Sequence, residues 1–134
     1  RCWTGETRMV DTLIKSSQTL ARAIGNPAQQ TLRASQMDVP GHGSARVLKL
    51  VQAVEGTRYI TGHGARHYLD HAAFNAAGIE VDYMKYGPVP WPQSHGAFTP
   101  YVSALDLIAH VPPGQRSSHL APKTTGWQSF LAEQ

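Results

Sequence analysis

Residues 79–86 read Ile-Glu-Val-Asp-Tyr-Met-Lys-Tyr, with apolar and polar side chains alternating along the whole stretch. A period of two places one set on each face of an extended chain, so these residues predict a half-buried strand. Just before them, Ala65–Ala77 keeps Tyr68, Leu69, Ala72, Ala73 and Ala76 at helical spacing and ends on Gly78, a natural helix stop. Earlier still, Arg58-Tyr59-Ile60-Thr61 reads as a short strand leading into the turn Gly62-His63-Gly64. Strand, helix and strand in this order imply a right-handed crossover and a parallel pair.

Further helices are predicted over Thr7–Ile24, stopped by Gly25-Asn26-Pro27, over about Ser44–Glu55 with Ser44 as N-cap, and from Ser103 until Pro112-Pro113-Gly114. Thr31–Met37 alternates loosely and reads as a weak strand. The order predicts an α/β fold with a mostly parallel sheet and helices on both faces, in one domain spanning residues 1–134. Residues 111–134 read as a polar, irregular tail in which Trp127, Phe130 and Leu131 dock a last turn. In such sheets ligands bind beyond the carboxyl ends of the strands. The Gly62 turn and the segment after Tyr86 both leave such ends, so the two are expected to face one site.

That second segment, Gly87–Asp106, holds prolines at 88, 90, 92 and 100, which fix φ and withhold backbone donors. No regular helix or central strand can run through it. It also carries Trp91, Gln93, His95, Phe98, Tyr101, Ser103 and Asp106, a density of aromatic and polar groups that points to an ordered, functional loop. Trp91, Phe98 and Tyr101 interleaved with Gln93 and His95 suit a pocket that stacks on a sugar or base and hydrogen-bonds its rim, or else pin the loop to the sheet.

The formal net charge is +3, from 12 Lys and Arg against 9 Asp and Glu, with no run of like charge to mark a nucleic-acid arm. A single cysteine, Cys2, cannot form an internal disulfide, which suits the cytoplasm. No apolar run long enough to span a membrane and no leader peptide is visible. His63, His67 and His71 fall at four-residue intervals beside Asp70 and could hold a divalent ion, but the adopted reading is a solvated helix face with no metal and no cofactor. The turn at Gly62 and His63 could aim backbone donors at an anion, although it lacks the rest of a phosphate-binding fingerprint. Ser103, His95 and Asp106 supply the residue types of a hydrolytic triad, yet Ser103 makes a better N-cap than a nucleophile.

The run Tyr59-Ile60-Thr61-Gly62-His63-Gly64-Ala65-Arg66-His67-Tyr68-Leu69-Asp70, then Phe74 and Gly78-Ile79-Glu80-Val81, resembles the C-terminal half of the WbqC-like family. The likeness continues through Pro90-Trp91-Pro92-Gln93, His95-Gly96, Phe98-Thr99-Pro100 and Ser103-Ala104-Leu105-Asp106-Leu107. It implies an α/β fold and a cytoplasmic role in bacterial surface-glycan, O-antigen-type, or natural-product biosynthesis, with some members proposed to transfer glycine or another amino-acyl group onto an amino sugar. On that resemblance the catalytic candidates are His95, Asp106, Asp70 and Tyr68, and the substrate-binding candidates are Gly62, His63, Trp91, Gln93, Phe98 and Ser103. His95 would be the base that deprotonates the attacking amine, oriented by Asp106. The family pattern also opens on a His-Gln-Pro motif that does not precede Arg1, and it commonly has Asn-x-Gly where Pro112-Pro113-Gly114 stands here. A missing N-terminal segment or a second chain is therefore expected to complete the site.

Two functions follow. The first is an acyl or amino-acyl transferase acting on a small sugar-linked or amino-acyl substrate, with neither nucleic acid nor membrane as partner. The other is a non-catalytic module whose aromatic-proline loop binds a glycan or a protein.

Overall fold

The alternation at residues 79–86 becomes the middle strand of a three-stranded sheet: β1 is Arg58–Thr61, β2 is Glu80–Lys85 and β3 is Lys123–Gly126, in the order β1-β2-β3. The computed structural model describes residues 8–26, 30–94, 96–120 and 123–133. Cys2, Thr7, Pro27 and His95 lie outside the described residues. The chain divides into two compact units, Arg1–Thr31 with Gly87–Ala121, and Leu32–Tyr86 with Pro122–Gln134.

The unit Leu32–Tyr86 with Pro122–Gln134 holds the sheet. Val81 and Tyr83 point to its buried side, where they join Val51, Ala65, Leu69, Phe74, Ile79 and Phe130, with Tyr59 and Trp127 packed against them. Tyr83 stacks on Phe130 at 4.1 Å between ring centroids. The alternate positions Arg58, Ile60, Glu80 and Met84 stay exposed, and Arg58 Nη2 bonds Glu80 Oε2 at 2.7 Å across the β1–β2 pair. Burial of one residue set is what pins the strand register, because a slip by one would put Val81 and Tyr83 in water.

The sheet is mixed, and this corrects the mostly parallel arrangement expected. β1 and β2 pair in parallel, with Arg58 opposite Glu80 and Thr61 opposite Tyr83. β3 pairs with β2 antiparallel and comes from the stretch expected to be irregular. The weak strand at Thr31–Met37 does not form; Ala34–Gln36 make a 3-10 turn, and Leu32, Ala34 and Gln36 are all exposed. With no apolar stripe to bury, that segment has nothing to gain from the sheet, whereas β3 runs into the helix Trp127–Ala132, which delivers Phe130 to the core.

Some helices follow their local signals and others depart from them. In the other unit, α1 (Met9–Ile24) ends on Gly25 at φ 85, where Gly25 N–H bonds Arg22 O and Asn26 N–H bonds Ala21 O, both at 3.0 Å. This left-handed cap is why glycine is needed there. In the sheet unit, α2 (Gly43–Ala53) starts one residue before the expected cap, and Ser44 Oγ accepts the N–H of Asp70 at 2.8 Å instead of capping α2. The helix expected over Ala65–Ala77 is split into a 3-10 segment, His63–His67, and α3, His71–Ala76. Asp70 causes the break: its carboxylate accepts Ala73 N–H at 3.0 Å, which starts a new helix. Among the described residues no helix is long and apolar enough to cross a membrane.

His71 sits against the core, with Nε2 2.8 Å from the Tyr83 hydroxyl and its ring stacked on Trp127 at 4.8 Å. Burial lowers its pKa, opposed in part by Asp70, and burial likewise raises that of Tyr83. A depressed histidine binds fewer protons folded than unfolded, so stability is full above the ordinary value of about 6.5 and falls as pH drops below it. Urea midpoints measured at pH 7.5 and pH 5 are expected to fall at the lower pH, and His71→Gln is expected to flatten that slope. A variant with the parent's slope would remove His71 as the cause.

Candidate functional site

The four prolines of the loop after Tyr86 deny it a backbone ladder, so side chains hold it. In the unit Arg1–Thr31 with Gly87–Ala121, Trp91 is 5% exposed and forms a core with Leu107 and Val111, against which Ile24, Phe98, Val102 and Leu120 pack. Phe98 meets the Trp91 ring edge-on at 4.9 Å. Val89 N–H donates to His119 O at 3.0 Å, and His119 Nδ1 donates to Val89 O at 3.0 Å.

The polar centre is on α4, Ala104–His110, which Ser103 caps by accepting Leu105 N–H at 3.2 Å. Asp106 stands in its first turn, where a negative charge is favourable. Its Oδ2 accepts both the Trp91 indole Nε1–H and the Gln93 amide Nε2–H, each at 2.8 Å. Gln93 is held at its other end too, since Oε1 accepts Thr99 N–H at 2.9 Å. A backbone N–H can only donate, so this contact fixes which way the amide points. Asp106 and Gln93 together staple Trp91, Thr99 and α4 into one frame.

One turn later, His110 Nδ1 lies 2.8 Å from the backbone oxygen of Asp106 and 3.4 Å from its Oδ1. Its Nε2 lies 2.8 Å from Ser94 Oγ and 3.3 Å from Ser94 N. The Ser94 N–H requires an acceptor, so Nε2 carries the lone pair and Nδ1 the hydrogen, which points to the Asp106 oxygens. The side chains of His110 and Asp106 are 22% and 15% exposed, and Ser94 is open to solvent. A neutral imidazole with its basic nitrogen on a hydroxyl and its other nitrogen on an acidic residue can take a proton from a nucleophile.

Of the residues expected to form the site, the structure brings together Trp91, Gln93 and Asp106, with Phe98 against Trp91 and Ser103 as the cap. His95 lies outside the described residues. Gly62, His63, Tyr68 and Asp70 belong to the sheet unit. Gly62 has φ −86, which any residue adopts, so its turn does not require glycine. His63 Nε2 donates to Met84 O at 2.7 Å and packs on Phe130, while His67 Nε2 accepts from Arg66 and His71 meets Tyr83. The three histidines thus go to separate partners, and among the described residues no group of three or more His, Cys, Asp or Glu could hold an ion. Asp70 caps α3, and Tyr68, 52% exposed, borders a cavity of about 410 Å³ with His42, Arg46, Val47 and Leu50.

Sequence reasoning missed Ser94, His110 and Arg116. The four-residue step from Asp106 to His110 on a predicted helix was the available signal for His110. Nothing local marked Ser94. Arg116 donates to the carbonyls of Val111, Ile108 and Ala23, closing the C-terminal ends of α4 and α1 with one guanidinium.

The molecule is a mixed α/β protein in which a proline-rich loop is clamped to an Asp–His helix turn beside an exposed serine. The chain belongs to the WbqC-like protein family, whose profile matches residues 2–118, well beyond the stretch from Tyr59 to Leu107. It is 37% identical over 67 residues to Uncharacterized protein Rv1507c of Mycobacterium tuberculosis (strain ATCC 25618 / H37Rv). That alignment covers 49% of this chain and 29% of the mycobacterial protein, so the chain spans less than a third of the curated relative it matches. No solved structure matches it.

Proposed function

We propose that this protein is a cytoplasmic amino-acyl transferase of glycan or natural-product biosynthesis, placing a glycine-type group on an amino sugar. The observation that carries the reading is the His110 imidazole, its Nε2 held as a lone pair at the edge of the loop and its Nδ1 backed by Asp106. Amide formation from an activated acyl donor needs such a base, because the amine must lose a proton as its nitrogen bonds to the carbonyl carbon. His110 takes the base role that residue type had suggested for His95, and Asp106 orients it. Membership of the WbqC-like family supports the biosynthetic setting.

Tyr101 favours a second reading, a glycan-binding module without turnover. It is 94% exposed on the same loop, an aromatic face available for stacking on a sugar. Incubating the protein with the N-acetylcysteamine thioester of glycine and a nucleotide-linked amino sugar separates the two. Mass spectrometry should show the sugar gaining one glycyl group above the protein-free background. Product at background level would sink the transferase reading, and sugar binding lost in Tyr101→Ala would then favour the module.

A further inference from the structure

We propose that Ser94 is a covalent nucleophile, so that the acyl group passes through a Ser94 ester before it reaches its acceptor. The inference rests on the transferase reading for its acceptor but on geometry of its own for the nucleophile. A serine hydroxyl is a weak nucleophile until a base accepts its proton, and the needed arrangement is a hydroxyl within hydrogen-bond reach of a base that a third group orients. All three parts are present. Ser94 Oγ is 2.8 Å from His110 Nε2, and His110 Nδ1 is 2.8 Å from the Asp106 carbonyl and 3.4 Å from the Asp106 carboxylate.

The position of Ser94 is set by its neighbours. Gln93 is bonded to Asp106 and Thr99, and Trp91 is buried and bonded to Asp106, so the chain arrives at residue 94 from an anchored stretch. Two residues further on, Gly96 takes φ +105, a left-handed conformation that favours glycine. Ser94 itself is exposed, which leaves Oγ open to an incoming donor.

In the first half-reaction Oγ bonds to the carbonyl carbon of an activated ester or thioester while its proton moves to Nε2. The bond to the alcohol or thiol leaving group breaks, and the leaving group departs with that proton. In the second half, the acceptor amine attacks the Ser94 ester and gives a proton to Nε2. The carbon–Oγ bond then breaks and Oγ recovers the proton. No oxidant, reductant or further reactant is required.

The test uses two probes that carry no sugar, p-nitrophenyl acetate and an alkyl fluorophosphonate, followed by peptide mass spectrometry. The expected result is a burst of p-nitrophenolate and one acetyl or phosphonyl group on Ser94. Labelling should vanish in Ser94→Ala and fall about 10²–10⁴-fold in His110→Gln, while in Ser94→Cys the acetyl group, but not the phosphonyl group, should return on the thiol. Far-UV circular dichroism of each variant separates chemistry from folding. A folded parent that carries no label on Ser94 overturns the proposal, even if it transfers glycine to the sugar. A labelled Ser94 in a protein that transfers nothing upholds the nucleophile and removes the transferase reading.

Discussion

His110→Gln is expected to lower amino-acyl transfer about 10²–10⁴-fold, the usual contribution of a positioned base, while leaving its unit folded. Glutamine suits the comparison because its amide can copy the bonds of the imidazole without copying its basicity. The amide oxygen can accept from Ser94, as Nε2 does at 2.8 Å, and the amide NH₂ can donate toward Asp106, as Nδ1 does at 2.8 Å. The tether survives and the proton acceptor does not. Steady-state transfer rates beside circular dichroism of the same preparations decide the matter. A variant that keeps the parent rate would take His110 out of the reaction and return the base role to His95 or to another group.

Asp106→Ala should have the largest effect on stability, about 2–5 kcal/mol, from two bonds to a charged acceptor and the donors stranded by its loss. The Trp91 indole N–H and the Gln93 amide both donate to Oδ2 at 2.8 Å, and Trp91 is 5% exposed, so water cannot readily replace the carboxylate. A loss of that size is a substantial part of the roughly 5–15 kcal/mol that holds a typical domain together. Urea unfolding followed by tryptophan fluorescence should show an earlier midpoint. Asp106→Asn is the informative companion: its amide oxygen can still accept from Trp91 and Gln93, but its NH₂ would face the Nδ1–H of His110, donor against donor. The asparagine variant should therefore keep much of the stability and lose activity. If alanine leaves the midpoint where it was, the carboxylate does not hold the loop.

The residues that were legible in advance are those governed by rules acting within a few positions. Alternation at 79–86 gave β2, and apolar spacing with a left-handed glycine gave α1 with Gly25 and the end of α3 with Gly78 at φ +71. Proline at 88, 90, 92 and 100 excluded regular structure from the loop, and Ser103 capped α4 as its position suggested. Asp106 emerged as important by resemblance, though its use as the acceptor for Trp91 and Gln93 was not foreseen. Asp70 was read as a site residue, and its nearer consequence, a helix start that splits the expected segment, passed unnoticed despite being local.

By itself, then, the sequence determined two strands, most helices with their stops, and a loop that could not be regular, because φ limits, caps and side-chain period are settled between near neighbours. Tertiary structure alone decided that the third strand would be Lys123–Gly126, since an open edge of β2 takes the segment that also brings apolar surface to the core. It alone decided that Ser94 would meet His110, sixteen positions along the chain, and that Trp91 would turn inward to Asp106. Hydrogen-bond donors and acceptors are the same at every serine, histidine and aspartate; which of them meet depends on the packing that carries them there.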